Sequence, residues 1–307
     1  MESGSVRAVT AGDCTDLYYL DTGMYDADGY GAVYVLDDDD RPVVVETGIG
    51  TNHERILEAL TELDIARDEL AAIAVTHVHL DHAGGAGFLA RACPNADVYV
   101  PAVGASHLAD PSALVAGTKA AVGDQWEFYT EPEPVPEDRV VEIEDGDVID
   151  FGDHELRVHE APGHAFHQVV FADPENDAVF TGDAAGLWAP EHERIVETSP
   201  PSDFDLEQCL ADLETIAEID PDVLCYTHFG PREVGDDLDR ALEEYATVLE
   251  EWVADVAAAR EECEDDEAVV EQFAASTDLG EVWNERKASA EAAMNARGVL
   301  GYLDDRD

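Results

Sequence analysis

The chain has 307 residues, enough to bury a core without disulfide or metal staples. Its 72 acidic and 16 basic residues give a formal charge of −56, a field that repels phosphate backbones and anionic lipid and argues against nucleic acid or a membrane surface as partner. An apolar fraction of 45% is too high for intrinsic disorder. That leaves a halophilic source, since at 1 M salt the Debye length falls to roughly 3 Å and self-repulsion is screened.

The acids are spread through the chain, as in Asp37 to Asp40, Glu261, Glu262 and Glu264 to Glu267, and only Lys119 and Lys287 are lysines. The N-terminal stretch MESGSVRAVTAGDC has neither an apolar h-region nor a cationic n-region, and no apolar run reaches ~18 residues. A soluble, cytoplasmic protein is expected. Gly31–Leu36 and Val43–Glu46 are short β-branched runs with strand character. Asn52 to Leu63 then places Ile56, Leu57, Leu60 and Leu63 at helical spacing, behind Thr51 and Asn52 as caps. Strands follow at Ala72–Thr76 and Val98–Val100.

Beyond residue 139 the pattern repeats with strands at Val140–Ile143, Asp147–Phe151, Glu155–His159, Val169–Ala172 and Ala178–Thr181, separated by turns such as Glu144-Asp145-Gly146. A helix at Asp205–Ile219 leads to a last strand, Val223–Tyr226. Two mixed α/β halves suit two sheets packed face to face with helices outside. From about Gly235 only helix is indicated, with Leu238, Leu242, Tyr245, Leu249, Trp252 or Val253, and Val256 forming one apolar stripe, and a second helical stretch at Glu281 to Arg297. The organisation expected is an α/β unit over 1–235 and a helical extension over 236–307, packed on the core and placed to cover an active site. The five cysteines (Cys14, Cys93, Cys209, Cys225, Cys263) form no C-x-x-C pair and read as buried, reduced thiols.

The strongest chemical signal is Thr76-His77-Val78-His79-Leu80-Asp81-His82-Ala83-Gly84-Gly85, directly after the strand Ala72–Thr76. In an extended segment residues i and i+2 share a side, so His77 and His79 converge on one ion while Asp81 and His82 turn toward a neighbouring position. Burying three histidines and an aspartate without a cation would leave several polar groups unsatisfied, each costing roughly 1–3 kcal/mol. Three strand-end turns offer further ligands beside glycine: His164 in Pro162-Gly163-His164, Asp183 in Thr181-Gly182-Asp183, and His228 in Thr227-His228-Phe229-Gly230. Imidazole and carboxylate donors make zinc the default, with manganese or iron(II) as alternatives.

This pattern, H-x-H-x-D-H followed by a distant histidine, an aspartate after T-G and a final histidine, resembles the metallo-β-lactamase fold superfamily over residues 15 to 232. His79–Gly87, Asp145–Gly152 and Thr181–Gly186 are more narrowly similar to a branch of archaeal and bacterial members related to glyoxalase II. The resemblance implies an αββα sandwich with two divalent metal ions at one edge. It implies a first site of His77, His79 and His164, a second of Asp81, His82 and His228, and Asp183 bridging. The chemistry expected is hydrolysis of a small ester, thioester or lactone by a water whose pKa the two ions lower toward ~7, with Asp81 and Asp183 as the catalytic carboxylates.

Two other classes compete. A single iron on His77, His164 and Asp183 would suit a persulfide dioxygenase, and a metal-binding protein without catalysis is the third reading. The acidic surface speaks against a nucleic-acid phosphodiester, and Ala184-Ala185-Gly186-Leu187-Trp188 lacks the tyrosine that the lactonase branch places after the bridging aspartate. Among the other histidines, His167 and His192 are candidates for the substrate pocket, and Thr181 and Thr227 for hydrogen bonds to the ligands. Substrate specificity is expected to lie in loops near 104–130 and 186–200 and in the helical C-terminus. Trp126, Phe128 and Tyr129 belong either to a pocket wall or to an interface.

Overall fold

The computed structural model describes residues 5–38 and 41–306; Asp39 and Asp40 of the acidic run, and the first four residues, lie outside it. The first sheet runs β1 (Arg7–Ala8), β2 (Leu17–Asp21), β3 (Ala32–Leu36), β4 (Val43–Val45), β5 (Ala72–Ala74), β6 (Asp97–Pro101) and β7 (Val140–Ile143) in spatial order. β1 to β4 are antiparallel neighbours, and β4 to β7 pair in parallel. The parallel pairs need crossovers on one face: α1 (His53–Glu62), then α2 (Leu80–Ala83) and α3 (Ala86–Ala92), then α4 (Ala105–Ala109) and α5 (Ser112–Val122). The stretch 104–130, expected as loop, is therefore mostly helical.

The second sheet is built from β8 (Val148–Asp150), β9 (Glu155–Glu160), β10 (Val169–Asp173) and β11 (Ala178–Gly182); a hairpin of β12 (Leu187–Ala189) and β13 (Arg194–Val196) and helix α6 (Leu206–Ile219) intervene before β14 (Val223–Tyr226) and β15 (Gly230–Glu233) complete it. Side-chain alternation along the strands decides the layers. Tyr34, Val43, Val45 and Ala74 of the first sheet meet Phe171, Phe180, Val223 and Cys225 of the second in one buried cluster. The alternate residues Val33, Val35, Val44 and Ile73 pack outward on Ile56, Leu60 and Leu89. Val170, Val179 and Leu224 pack outward on α6 and the C-terminal helices. The result is the αββα sandwich.

The C-terminal helices are α7 (Leu238–Glu262), α8 (Asp266–Ser276) and α9 (Glu285–Asp305). The stripe Leu238, Leu242, Tyr245, Leu249, Val253 and Val256 is buried against the second sheet, with Trp252 half-buried. The expected single stretch 281–297 is thus the longer α9, preceded by an unexpected α8. That helix begins inside the acidic run and buries only Val269 and Val270, so its apolar periodicity is hidden. Its cap is Asp265, which accepts from Ala268 N at 3.0 Å, and Asn284 does the same for α9 from Lys287 N at 3.0 Å. Thr51 and Asn52 do not cap α1: Asn52 is left-handed (φ 64) and donates to Thr22 O at 3.0 Å, while Thr51 donates to Phe128 O at 2.6 Å. Tertiary carbonyls capture both side chains.

α9 is fixed against the segment 197–200. Asn295, fully buried, accepts from Ser199 N at 3.0 Å and donates to Glu197 O at 3.3 Å. Gly298 permits this approach, because a Cβ there would stand 1.9 Å from Ser199 O. Cys93, Cys209 and Cys225 are buried, whereas Cys14 and Cys263 are half-buried; all five are free thiols. Among the described residues no helix is long and apolar enough to cross a membrane.

Candidate metal centre

β9 and β11 both run antiparallel to β10, and β14 runs parallel to β11. Their C-terminal ends therefore share one edge of the sandwich, and the turn after β5 meets them there. Val169 N donates to Thr76 O at 2.9 Å, and Ala32 N to Thr227 O at 2.8 Å, so the two sheets are stitched beside the site. Gly182, with φ 51, lets the chain pass Thr76: a Cβ would sit 2.6 Å from its hydroxyl.

The seven residues singled out from the sequence are brought together. His77 Nε2 faces His79 Nδ1 at 3.1 Å, and His164 Nε2 faces the same atom at 3.2 Å. Asp81 and His82 lie on the short helix α2, which brings both near His228 while the His82 ring stays 3.9 Å from that of His77. Asp183 stands between the two groups. Its Oδ2 is 3.2 Å from His164 Nε2 and 3.4 Å from His82 Nε2, and its Oδ1 is 3.4 Å from His228 Nε2. Three sets thus have ligand atoms within 4.8 Å of one another: His77, His79 and His164; His77, His82 and Asp183; and Asp81, His82 and His228.

The far sides of the imidazoles are held by residues the sequence reading did not select. Nδ1 of His77 meets Thr76 Oγ1 at 3.0 Å, Nδ1 of His164 meets Thr198 Oγ1 at 3.2 Å, and Nδ1 of His82 lies 3.4 Å from Glu46 Oε2. His228 donates Nδ1–H to Tyr30 O at 2.9 Å, with the Tyr30 ring stacked on it at 4.3 Å. Such partners orient a ligand ring and fix its tautomer, directing the opposite nitrogen inward. Thr181 has no such role: its hydroxyl turns to the backbone carbonyls of Gly182 and Cys225. Apart from Thr76 standing beside His77, nothing local marked these partners. Glu46 follows β4 with φ 70, a left-handed turn that brings its carboxylate to His82.

The electrostatics ask for cations. Both ring nitrogens of His82, Oδ1 of Asp183 and Oε2 of Glu46 are buried with ionic contacts at 3.4 Å but no well-formed hydrogen bond, an expensive arrangement for ionisable groups unless an ion completes it. Burial pulls His77 and His79 below the ordinary imidazole value and His164 down to about 3, which keeps them neutral with lone pairs available. Burial opposes charge on Asp183 too, but His82, His164 and His228 outweigh it and hold the carboxyl well below its usual range. Asp81 is lowered in the same way, burial being outweighed by His82 and His228. The donor set of imidazoles and carboxylates fits divalent metal ions.

A cavity of about 600 Å³ opens on this centre. α5 supplies small residues (Ala113, Gly117, Ala121), and α9 supplies Lys287, Glu291, Met294 and Arg297. Tyr129 lines it and shares a hydrogen bond with the Tyr25 hydroxyl; Phe128 packs behind them on Tyr25, while Trp126 stacks on Tyr129 at 5.2 Å. His167 lines the cavity, as expected. His192 does not: it faces a separate surface crevice with Glu191 and Trp283, because the hairpin β12–β13 carries it away from the metal edge. Lys287 and Glu291 form a buried ion pair in the cavity wall, beyond anything the sequence indicated.

Comparison with known proteins agrees with this architecture. The family model of the metallo-beta-lactamase superfamily matches residues 26–228. The metallo-beta-lactamase fold-containing protein ST1585 of Sulfurisphaera tokodaii is 27% identical over 222 residues, 71% of this chain and 79% of that one. Its crystal structure superposes with a TM-score of 0.70 over 94% of this chain and 99% of that chain, at 22% identity. The human acyl-coenzyme A thioesterase MBLAC2 is 26% identical over 188 residues, 54% of this chain and 62% of the thioesterase. The hydroxyacylglutathione hydrolase of Maricaulis maris is 30% identical over 141 residues, 46% of this chain and 43% of that enzyme. With the matched segment covering the metal edge from the Tyr30 turn to His228, the chain belongs to the metallo-beta-lactamase superfamily.

Proposed function

We propose that the chain is a dinuclear metal-dependent hydrolase of small acyl esters, thioesters or lactones, with thioesters foremost. The observation that carries this reading is Asp183, whose carboxylate lies 3.2–3.4 Å from histidines of both groups, His164 of the first and His82 and His228 of the second. His77, His79 and His164 would hold one ion, Asp81, His82 and His228 the other, and Asp183 would bridge them. Zinc suits these donors, with manganese or iron(II) as alternatives, and the ions when bound supply Lewis acidity and an acidified water. The similarity to a thioesterase and to a hydroxyacylglutathione hydrolase supports an acyl-sulfur bond as the target.

The protein's own groups then have defined tasks. Water adds its oxygen to the acyl carbon, the C–S bond breaks, and carboxylic acid and thiol depart. Asp81, half-buried at the rim and kept ionised by His82 and His228 against burial, takes the proton from the attacking water and returns it to the departing sulfur. Thr76, Thr198, Glu46 and Tyr30 keep the imidazoles aimed inward. We read residues 236–307 as an extension of the unit 1–235, with α9 a fixed wall of the cavity, since Asn295 and Gly298 lock it to the segment 197–200.

The test is metal content by elemental mass spectrometry of protein purified in high salt, with thioester and lactone hydrolysis measured before and after chelation. Close to two ions per chain and chelator-sensitive hydrolysis is the expected result. One iron per chain with oxygen consumption and no hydrolysis would replace this reading by the persulfide dioxygenase, and absence of metal would end it.

A further inference from the structure

The polar groups of the cavity wall are of two kinds. Most are already satisfied: Lys287 pairs with Glu291 and is enclosed by the rings of Tyr25 and Tyr30 at 4.0 and 5.1 Å, and Tyr25 bonds to Tyr129. Arg297 reaches Glu267 at 3.6 Å. His167 Nδ1 is one exception, and Gln125 is another. It lines the cavity, is 3% exposed, and neither its amide nitrogen nor its amide oxygen has a partner.

The backbone that carries Gln125 is held in place. Its turn, residues 123–128, leaves α5 through Gly123 (φ 56) and is clamped from two sides. Arg286 at the start of α9 bonds to Asp124 and Glu127 and lies over the Phe128 ring, and Thr51 donates to Phe128 O at 2.6 Å. A carboxamide that lies just under the surface of this wall with both a donor and an acceptor unused is a costly element of a fold unless a ligand toward which the side chain turns completes it. The complement to one donor and one acceptor is a neutral group that offers both, and an amide is such a group. The cavity offers an anionic arm little: its two non-histidine cations, Lys287 and Arg297, already face carboxylates, and the chain as a whole carries −56.

We propose that the cavity takes an uncharged acyl thioester bearing an amide near the scissile carbonyl, and that Gln125 recognises that amide. This rests on the hydrolase reading above and specifies its substrate. Gln125 acts as a specificity-determining residue that touches the arm of the substrate, away from the bond that breaks.

Three acetyl thioesters test it in high salt with the metal-loaded protein: S-acetyl-N-acetylcysteamine, which is neutral and carries an amide; S-pentyl thioacetate, of equal length without one; and S-acetylglutathione, which has amides and carboxylates. Wild type is expected to favour the cysteamine ester over each of the others in kcat/KM by about tenfold or more. In Gln125→Met, a change that keeps apolar volume and removes the amide, the preference over the pentyl ester should fall to about one. The ratio is read within each variant, so partial loss of folded protein leaves it intact, and the wild-type ratio stands should the variant not fold. A wild-type ratio near one, or a ratio unchanged in Gln125→Met, overturns the role of Gln125. Equal turnover of S-acetylglutathione overturns the neutrality of the substrate. Hydrolysis of none of the three by protein carrying its metals removes the hydrolase reading, and this inference with it.

Discussion

Replacing Asn295 by alanine tests whether α9 supports the metal centre. Asn295 is fully buried, and its side chain makes two hydrogen bonds to the segment that carries Thr198: from Ser199 N at 3.0 Å and to Glu197 O at 3.3 Å. Alanine leaves that N–H and that carbonyl unpaired where water has little access, at about 1–3 kcal/mol each. The bond from Ser199 Oγ to the backbone oxygen of residue 295, 3.1 Å, survives and limits the damage. A net loss of about 2–4 kcal/mol is expected, which against roughly 0.6 kcal/mol/K of unfolding entropy for a chain of this length lowers Tm by about 3–6 °C. The same change loosens Thr198, whose hydroxyl holds His164 Nδ1 at 3.2 Å, and loss of such a partner weakens metal binding by about tenfold or more. Calorimetry in molar salt reads the first effect, and competition with a chromophoric chelator reads the second. Asn295→Asp, which keeps the acceptor for Ser199 N, should retain much of both. A lower Tm with unchanged metal affinity would show that α9 packs on the core without supporting the site, and the reasoning would be refuted.

Glu197 gives a pH-dependent prediction. Burial, with Glu291 and Asp278 adding to it against Arg194, pushes its carboxyl from 4.5 up to about 7. The folded state therefore holds this proton more tightly than the unfolded chain, and stability falls as pH rises from 4.5 through about 7. Glu197→Gln should remove up to about 3 kcal/mol of this penalty near pH 8 and change little near pH 4, as read by denaturant unfolding at both. His154 is raised by its hydrogen bond to Asp173, at 3.0 Å, which outweighs burial. Its contribution is complete below about pH 6.5 and is lost as pH climbs through the raised value; His154→Gln should cost about 1–3 kcal/mol near pH 6 and progressively less in alkali. The charge of −56 predicts a melting temperature that falls steeply between molar salt and dilute buffer, and an unchanged Tm would remove the case for salt adaptation.

The parts of this protein legible in the sequence are those whose physics is local. Alternation of side chains in Ala32–Leu36, Val43–Val45 and Val169–Asp173 follows from the two-residue period of a strand, and it already separates residues facing the second sheet from those facing the helices. His77, His79, Asp81 and His82 are legible for a similar reason, since six consecutive residues leaving one strand cannot scatter. His164, Asp183 and His228 could be read because each lies in a turn after a strand, close to glycine. Helix α8, by contrast, stayed hidden because acidic residues occupy its first turn and only Val269 and Val270 are buried.

Tertiary structure alone decided what surrounds the ligands. Thr198 reaches His164 across 34 residues, Glu46 reaches His82 across 36, and Asn295 reaches Ser199 across 96. Threonine, glutamate and asparagine are ordinary surface residues anywhere along a chain, so their composition and spacing carry no signal for such contacts. The cavity is likewise a product of packing: α5, the turn 123–128 and α9 enclose it, and the unpaired amide of Gln125 has meaning only once those three walls have excluded water. The sequence by itself determined which atoms can hold a metal, because donor chemistry belongs to the side chain. What the site admits and how firmly it is held were decided by the fold, because burial and unmet hydrogen bonds exist only between segments that folding brings together.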